Sequence, residues 1–262
     1  MKTHVESAHK EKLFDAVILI SFFIISTIFI VTLKLGHITT FLLYFGFPSF
    51  YLLVKYPSIR KRILFFAIPL AVAALFLEDY TGLINRAWLT TTIFPIKILG
   101  VIPLEDFIWG LLLAVLILVV YEVFVDIRHP NPRISKNYKW FIIMMVGVFI
   151  AFFTMLIHNP PRTSFAYFKF FLPLHLLPII YIMIRHPNLV PKLIKISLIF
   201  FVFFLIYEII GLHFNLWSFP GEYIATTEMF GVVIPLEEFL LWIVLIGATV
   251  VAFYEEFVDD LK

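Results

Sequence analysis

Cysteine is absent from all 262 residues. That excludes disulfides, Fe–S clusters and thiolate zinc sites. Charge is scarce: Asp, Glu, Lys and Arg make up 15% of the chain, against about 25% in a soluble domain. Basic and acidic residues nearly cancel, 20 against 18, so there is no positive footprint for nucleic acid. No Gly-x-Gly-x-x-Gly run and no Walker A loop is present, which removes the usual nucleotide-binding units. The lack of an Asp-rich DDxxD run argues against Mg²⁺-diphosphate chemistry of the prenyl-transfer kind. No helix carries regularly spaced Arg, which argues against a voltage sensor. His37, His158, His175 and His213 are scattered with no HExxH pair, so no metal site is expected. No cofactor is expected either; a reduced flavin or nicotinamide acting without net redox change stays open, though no binding motif supports one.

What the chain has in abundance is apolar surface. Hydrophobic residues reach 62% and mean hydropathy is +1.01, more than one globule of this size can bury. The excess must face lipid, which predicts an all-α, polytopic transmembrane bundle. Apolar runs suggest eight helices: Leu13–Leu35, Thr39–Val54, Ile63–Leu77, Pro103–Val125, Tyr138–Ile157, Tyr167–Ile184, Leu193–Leu212 and Pro235–Phe257. The second, third and sixth are short of the ~20 residues of a full span, so seven spans or re-entrant segments stay open. The first run is too long for a signal-peptide core and no small-residue cleavage site follows it. Lys and Arg cluster before the first run (Lys2, Lys10, Lys12) and in alternate loops (Lys55, Arg60, Lys61, Arg62; Arg128, Arg133, Lys136, Lys139; Arg185, Lys192, Lys195). The positive-inside rule therefore predicts a multi-pass cell-membrane protein with both termini cytoplasmic.

The two halves resemble each other. Val54-Lys55-Tyr56-Pro57 matches Ile184-Arg185-His186-Pro187 at an offset of 130, and Gly82 with Trp88 matches Gly211 with Trp217 at 129. Ile102-Pro103-Leu104-Glu105-Asp106-Phe107 matches Ile234-Pro235-Leu236-Glu237-Glu238-Phe239 at 132, and Tyr121-Glu122 through Asp126 matches Tyr254-Glu255 through Asp259 at 133. Four ordered anchors predict two tandem membrane repeats, 1–131 and 132–262, the boundary falling in the loop His129–Lys139. An even helix number per repeat makes them parallel, related by an axis along the membrane normal. A site is expected where the halves meet.

The doubled acids of the repeated motif are the leading candidates. Pro103 and Pro235 suit the first helical position, which puts Glu105 and Glu237 in the first turn. One reading is a helix cap complementing the dipole. Against it, a cap needs one acid, and here Glu105-Asp106 and Glu237-Glu238 are doubled and lead straight into apolar runs, where ionisable groups are costly and usually functional. A second tier is Glu78 and Asp79, matched by Glu208; packing partners for Glu208 are sought in Arg86, Asn85 or Asn215. Glu122, Asp126, Glu255 and Asp259 read as solvated interface residues. His158-Asn159-Pro160 reads as a turn. With 32 Phe, 11 Tyr and 5 Trp, most aromatics face lipid or pack between helices, yet aromatic faces around a cavity suit a long apolar ligand or a carbocation.

Two tandem membrane repeats, each with Pro-Leu-Glu-(Glu/Asp)-Phe at the start of its last helix, resemble the lycopene cyclases of the archaeal, fungal and actinobacterial membrane type, over essentially the whole chain. The motif positions here are Pro103, Glu105, Asp106, Pro235, Glu237 and Glu238, with Asp106 where the second repeat has Glu238. The resemblance implies cyclisation of the linear ψ-ends of lycopene to β-rings, through γ-carotene to β-carotene, by acid/base carbocation chemistry. It implies lycopene and γ-carotene as substrates and other carotenoid-pathway enzymes as candidate partners. It also implies that Glu237→Gln loses cyclisation. A small proton-coupled transporter and a non-catalytic carotenoid-binding protein are the competing readings.

Overall fold

The computed structural model describes residues 2–126, 134–158, 162–259 and 261, with side chains from residue 10 onward except at position 158. The loop basic residues Arg128 and Arg133, the repeat boundary between 131 and 132, and the His158 side chain with the Asn159-Pro160 turn lie outside what is described.

Among the described residues, eight helices are long and apolar enough to cross a membrane. We label them α1 (Lys10–Leu33), α2 (His37–Lys55), α3 (Pro57–Ile84), α4 (Leu104–Val125), α5 (Tyr138–Ile157), α6 (Tyr167–Arg185), α7 (Pro187–His213) and α8 (Leu236–Phe257). The protein is thus a multi-pass, all-α membrane bundle. The runs that are short in sequence are full-length helices. Hydropathy breaks at charges, but α3 continues through Arg60–Arg62 at one end and Glu78-Asp79 at the other. Arg60, Arg62 and Glu78 have partners in neighbouring helices: the Leu53 carbonyl, Glu122 and His175.

Most of α4 and α8 is buried, while little of α1 and α5 is. The central helix of each half packs on its own neighbours, α4 on α2 and α3, α8 on α6 and α7, and the two centres pack on each other. The outer helices show lipid what a soluble protein would hide: Leu13, Ile20 and Ile28 on α1, Ile143, Ile150 and Ile157 on α5. With no water in the hydrocarbon region, backbone groups must bond internally, and helices are the economical solution.

Among the described residues, three short antiparallel ribbons sit at one end, the loop end. They pair β1 (Leu89–Thr90) with β4 (Trp217–Ser218), β2 (Lys97–Ile98) with β3 (Ile102–Pro103), and β5 (Thr226–Met229) with β6 (Val232–Pro235). In the first ribbon Leu89 faces Ser218, its own repeat equivalent at an offset of 129. This pairing joins the loops that follow α3 and α7.

Two one-residue steps in the repeat offset coincide with π-turns. A π-turn inserts one extra residue into an α-helix. The offset falls from 130 to 129 along α3, where the first half has a π-turn at Leu75–Asp79; the same stretch of α7 is uninterrupted. It rises from 132 to 133 along α8, where the second half has a π-turn at Phe239–Leu245; the matching stretch of α4 is plain α-helix.

At the opposite, terminal end, the four acids expected to be solvated are buried instead. The reason is an exchanged network. Arg62 binds Glu122 and reaches Asp259 of the other half at 2.9 Å. Its equivalent Lys192 binds Glu255 at 3.3 Å and Asp126 of the other half at 3.0 Å. The Tyr254 hydroxyl donates to Glu122 and that of Tyr121 donates to Glu255, each again crossing between halves.

Candidate functional site

Pro103 and Pro235 are N-caps rather than first helical residues, with ψ of 142° and 140°. Leu104 and Leu236 therefore open the helices, and the acids follow at the second and third positions. Successive helical residues point about 100° apart, so the two acids of each doublet diverge.

The first acid of each doublet turns to the loops. Glu105 Oε1 accepts the backbone N–H groups of Ile93 (2.8 Å) and Phe94 (2.7 Å). Glu237 Oε1 accepts that of Ile224 at 2.7 Å. The acids hold the segments that precede their hairpins, and neither Pro N-cap receives a side-chain cap bond. The second oxygens, Glu105 Oε2 and Glu237 Oε2, are buried with no hydrogen-bond partner among the described residues. His37 is buried beside Glu105, with its ring 5.8 Å from that of Trp217.

The second acid of each doublet turns inward. Asp106 and Glu238 line one cavity of about 60 Å³ together with Asp79 and Glu208, several times the ~10–15 Å³ that one water requires. Asp79 neighbours Asp106 within its half, and Glu208 neighbours Glu238 within the other. The site thus holds two carboxyl pairs related by the repeat. The alignment through Gly82 and Gly211, which matches Asp79 with Glu208, is the one the fold uses. Glu78 points elsewhere, with Oε2 at 3.9 Å from His175 Nε2.

Three of the four inner acids have a dedicated donor. Thr90 Oγ1 lies 3.1 Å from both Asp106 oxygens. The Tyr167 hydroxyl donates to Glu238. Trp217 Nε1 donates to Glu208 at 2.7 Å, so the partner of Glu208 is this indole and not Arg86, Asn85 or Asn215. Asn85 instead donates to the Thr81 carbonyl and accepts from the Thr163 backbone.

Aromatic rings form the rest of the wall. Trp109 and Trp242 stand 5.2 Å apart, one from each central helix; the π-turn of α8 is what brings Trp242 into register with Trp109. Trp88 meets Tyr167 at 5.5 Å and Phe171 at 5.4 Å, while Trp217 meets Tyr207 at 4.9 Å. Trp88 and Trp217 fold back over Gly82 and Gly211, where an added Cβ would lie 2.2 Å and 1.8 Å from the indole. Only glycine lets these rings close. Outside the spans, Tyr223 donates to the Ala87 carbonyl; burial pushes its hydroxyl above the usual tyrosine range, which keeps it a donor.

Sequence reasoning passed over Thr90, Tyr167, His37 and the tryptophan pair. Tyr167 and His37 are repeat equivalents at the 130 offset, and Trp109 and Trp242 at 133, so extending the repeat alignment would have found both pairs. The only group of three metal-capable side chains among the described residues, Glu122, Asp126 and Asp259, belongs to the terminal-end network. No family model, curated protein or solved structure matches the chain.

Proposed function

We propose that the protein is a membrane isomerase that cyclises the ψ-ends of lycopene to β-rings by proton transfer, giving γ-carotene and then β-carotene. One observation carries the reading: four carboxyl groups, two from each half, converge on a single aromatic-walled cavity inside a lipid-facing bundle. A soluble substrate gains nothing from such a site, whereas an apolar polyene dissolved in the bilayer can reach it.

In the proposed reaction a carboxylic acid adds its proton to the terminal double bond, leaving a tertiary cation. The π-electrons of an internal double bond attack that centre and close the ring. A carboxylate then removes a proton from the ring carbon, and its C–H electrons become the ring double bond. Proton gained and proton lost balance, so no redox partner is required. Close carboxyl groups in a low-dielectric site hold one proton between them, which supplies an acid and a base side by side. The pairs Asp79/Asp106 and Glu208/Glu238 fit those two roles. The faces of Trp109 and Trp242 are placed to stabilise the intermediate cation, and exclusion of water keeps it from being trapped. With the termini on the cytoplasmic side, as the basic loops predict, this site lies toward the outer leaflet.

Expression in a bacterial host that accumulates lycopene, followed by pigment chromatography, tests the proposal. Mono- or bicyclic carotenoid is the expected product. Unchanged lycopene beside membrane-inserted protein would refute it. Asp106→Asn and Glu238→Gln separate an enzyme from a pigment-binding protein or a carrier: the enzyme loses product, whereas a binding protein keeps its pigment.

A further inference from the structure

Among the described residues, two of the cavities along the sides of the bundle are repeat counterparts. The first lies between α3, α4, α5, α6 and α8 and encloses about 140 Å³. The second lies between α1, α2, α4 and α7, is a wider groove of about 430 Å³, and has no ionisable side chain in its lining except the Tyr44 phenol. The two differ at their inner ends. The first shares Asp79, Asp106, Trp109 and Trp242 with the four-carboxyl cavity and also exposes Glu78 and His175. The second shares none of the cavity residues.

The repeat alignment explains the difference. His175 is equivalent to Phe45 at the 130 offset and Glu78 to Tyr207 at 129. Where one half has the His175–Glu78 pair at 3.9 Å, the other has Phe45 against Tyr207 with ring centroids 4.8 Å apart. Both rings are almost fully buried, and Tyr44 packs on Tyr207 as well, at 5.7 Å. This aromatic plug separates the wider groove from the acids. The first opening is kept clear by small residues on its walls, Ala74 on α3 and Gly110 and Ala114 on α4.

We infer that the apolar ligand is admitted from one side only: its chain lies in the cleft between α3, α4, α5, α6 and α8, with its reacting end at Asp79 and Asp106, while the equivalent groove on the other side is sealed by Phe45 and Tyr207. This rests on the cyclase reading for the identity of the ligand, a long isoprenoid polyene. It adds an asymmetry that a duplicated fold does not imply. The first half's acids meet the ligand directly, and the two ends of a symmetric substrate are processed one after the other through the same mouth.

Gly110 provides the test, because a Cβ built there meets nothing within 4 Å. Gly110→Phe fills the cleft with little disturbance to packing. Ala16→Phe fills the opposite groove. In the lycopene-accumulating host, Gly110→Phe is expected to lower cyclic carotenoid at least tenfold, with Ala16→Phe near wild type at equal membrane abundance. Binding is read separately, as quenching of tryptophan fluorescence by lycopene in detergent-solubilised protein, and should weaken at least tenfold in Gly110→Phe alone. Ring formation and quenching that survive Gly110→Phe, or that fall equally in Ala16→Phe, overturn the one-sided cleft and leave the cyclase reading standing. Wild-type quenching without ring formation, lost in Gly110→Phe, removes the cyclase reading and supports the cleft.

Discussion

Adjacent acids in one motif have opposite duties, because a helix turns about 100° per residue. Glu105 and Glu237 hold loop backbone, and Asp106 and Glu238 face the cavity. This revises the sequence expectation for Glu237→Gln. The amide oxygen can still accept the Ile224 N–H, so this variant should retain more than half of wild-type cyclic product. Glu238→Gln should lose at least a hundredfold, as measured by pigment chromatography at matched protein levels. Tyr167→Phe removes the donor to Glu238. A hydrogen bond to a charged group contributes about 1.5–3 kcal/mol, so product should fall about tenfold or more while membrane abundance is unchanged. The doublets were legible in the sequence because acids leading into apolar runs stand out. Which acid faces inward was not, since that depends on whether proline sits at the N-cap or one residue later.

At the level of elements, the repeat was readable as anchors, but its irregular spacing was not. The anchors Gly82–Trp88 and Gly211–Trp217 mark an indole folded onto a helix end. Gly211→Ala puts a methyl group 1.8 Å from the Trp217 ring and must displace the donor to Glu208. Thermal unfolding in detergent should shift down by several degrees, and cyclic product should be lost with it. The one-residue steps in offset are π-turns, which hydropathy cannot detect because an inserted apolar residue leaves an apolar run unchanged. The π-turn at Phe239–Leu245 sets the rotation of the Glu238 turn against the rest of α8. Deleting Leu240 should convert it to plain helix and turn Glu238 about 100° away from the cavity. Loss of product is expected even where the protein still reaches the membrane, and a wild-type product level would show that the π-turn has no positioning role.

Across the whole molecule, the two halves are held by contacts exchanged at both ends, the β1–β4 ribbon and the crossed Arg62 and Lys192 networks. The helical membrane architecture followed from apolar content alone. The terminal-end network did not, because acids beside a basic loop look solvated until the other half is present. Breaking a buried ion pair by removing one partner costs about 3–5 kcal/mol, so Arg62→Leu should destabilise the detergent-solubilised protein by that order, with Arg62→Lys losing less. Unfolding curves that coincide with wild type would show the network to be dispensable. In the proposed reaction the inner carboxyl groups deliver a solvent-derived proton to the polyene. Membranes equilibrated in D₂O and supplied with lycopene test it most directly by mass spectrometry of the product. One deuteron per ring formed is predicted, giving β-carotene two mass units heavier, with none formed by Asp106→Asn or Glu238→Gln. Cyclic product without deuterium, or undiminished labelling in those two variants, would contradict the account.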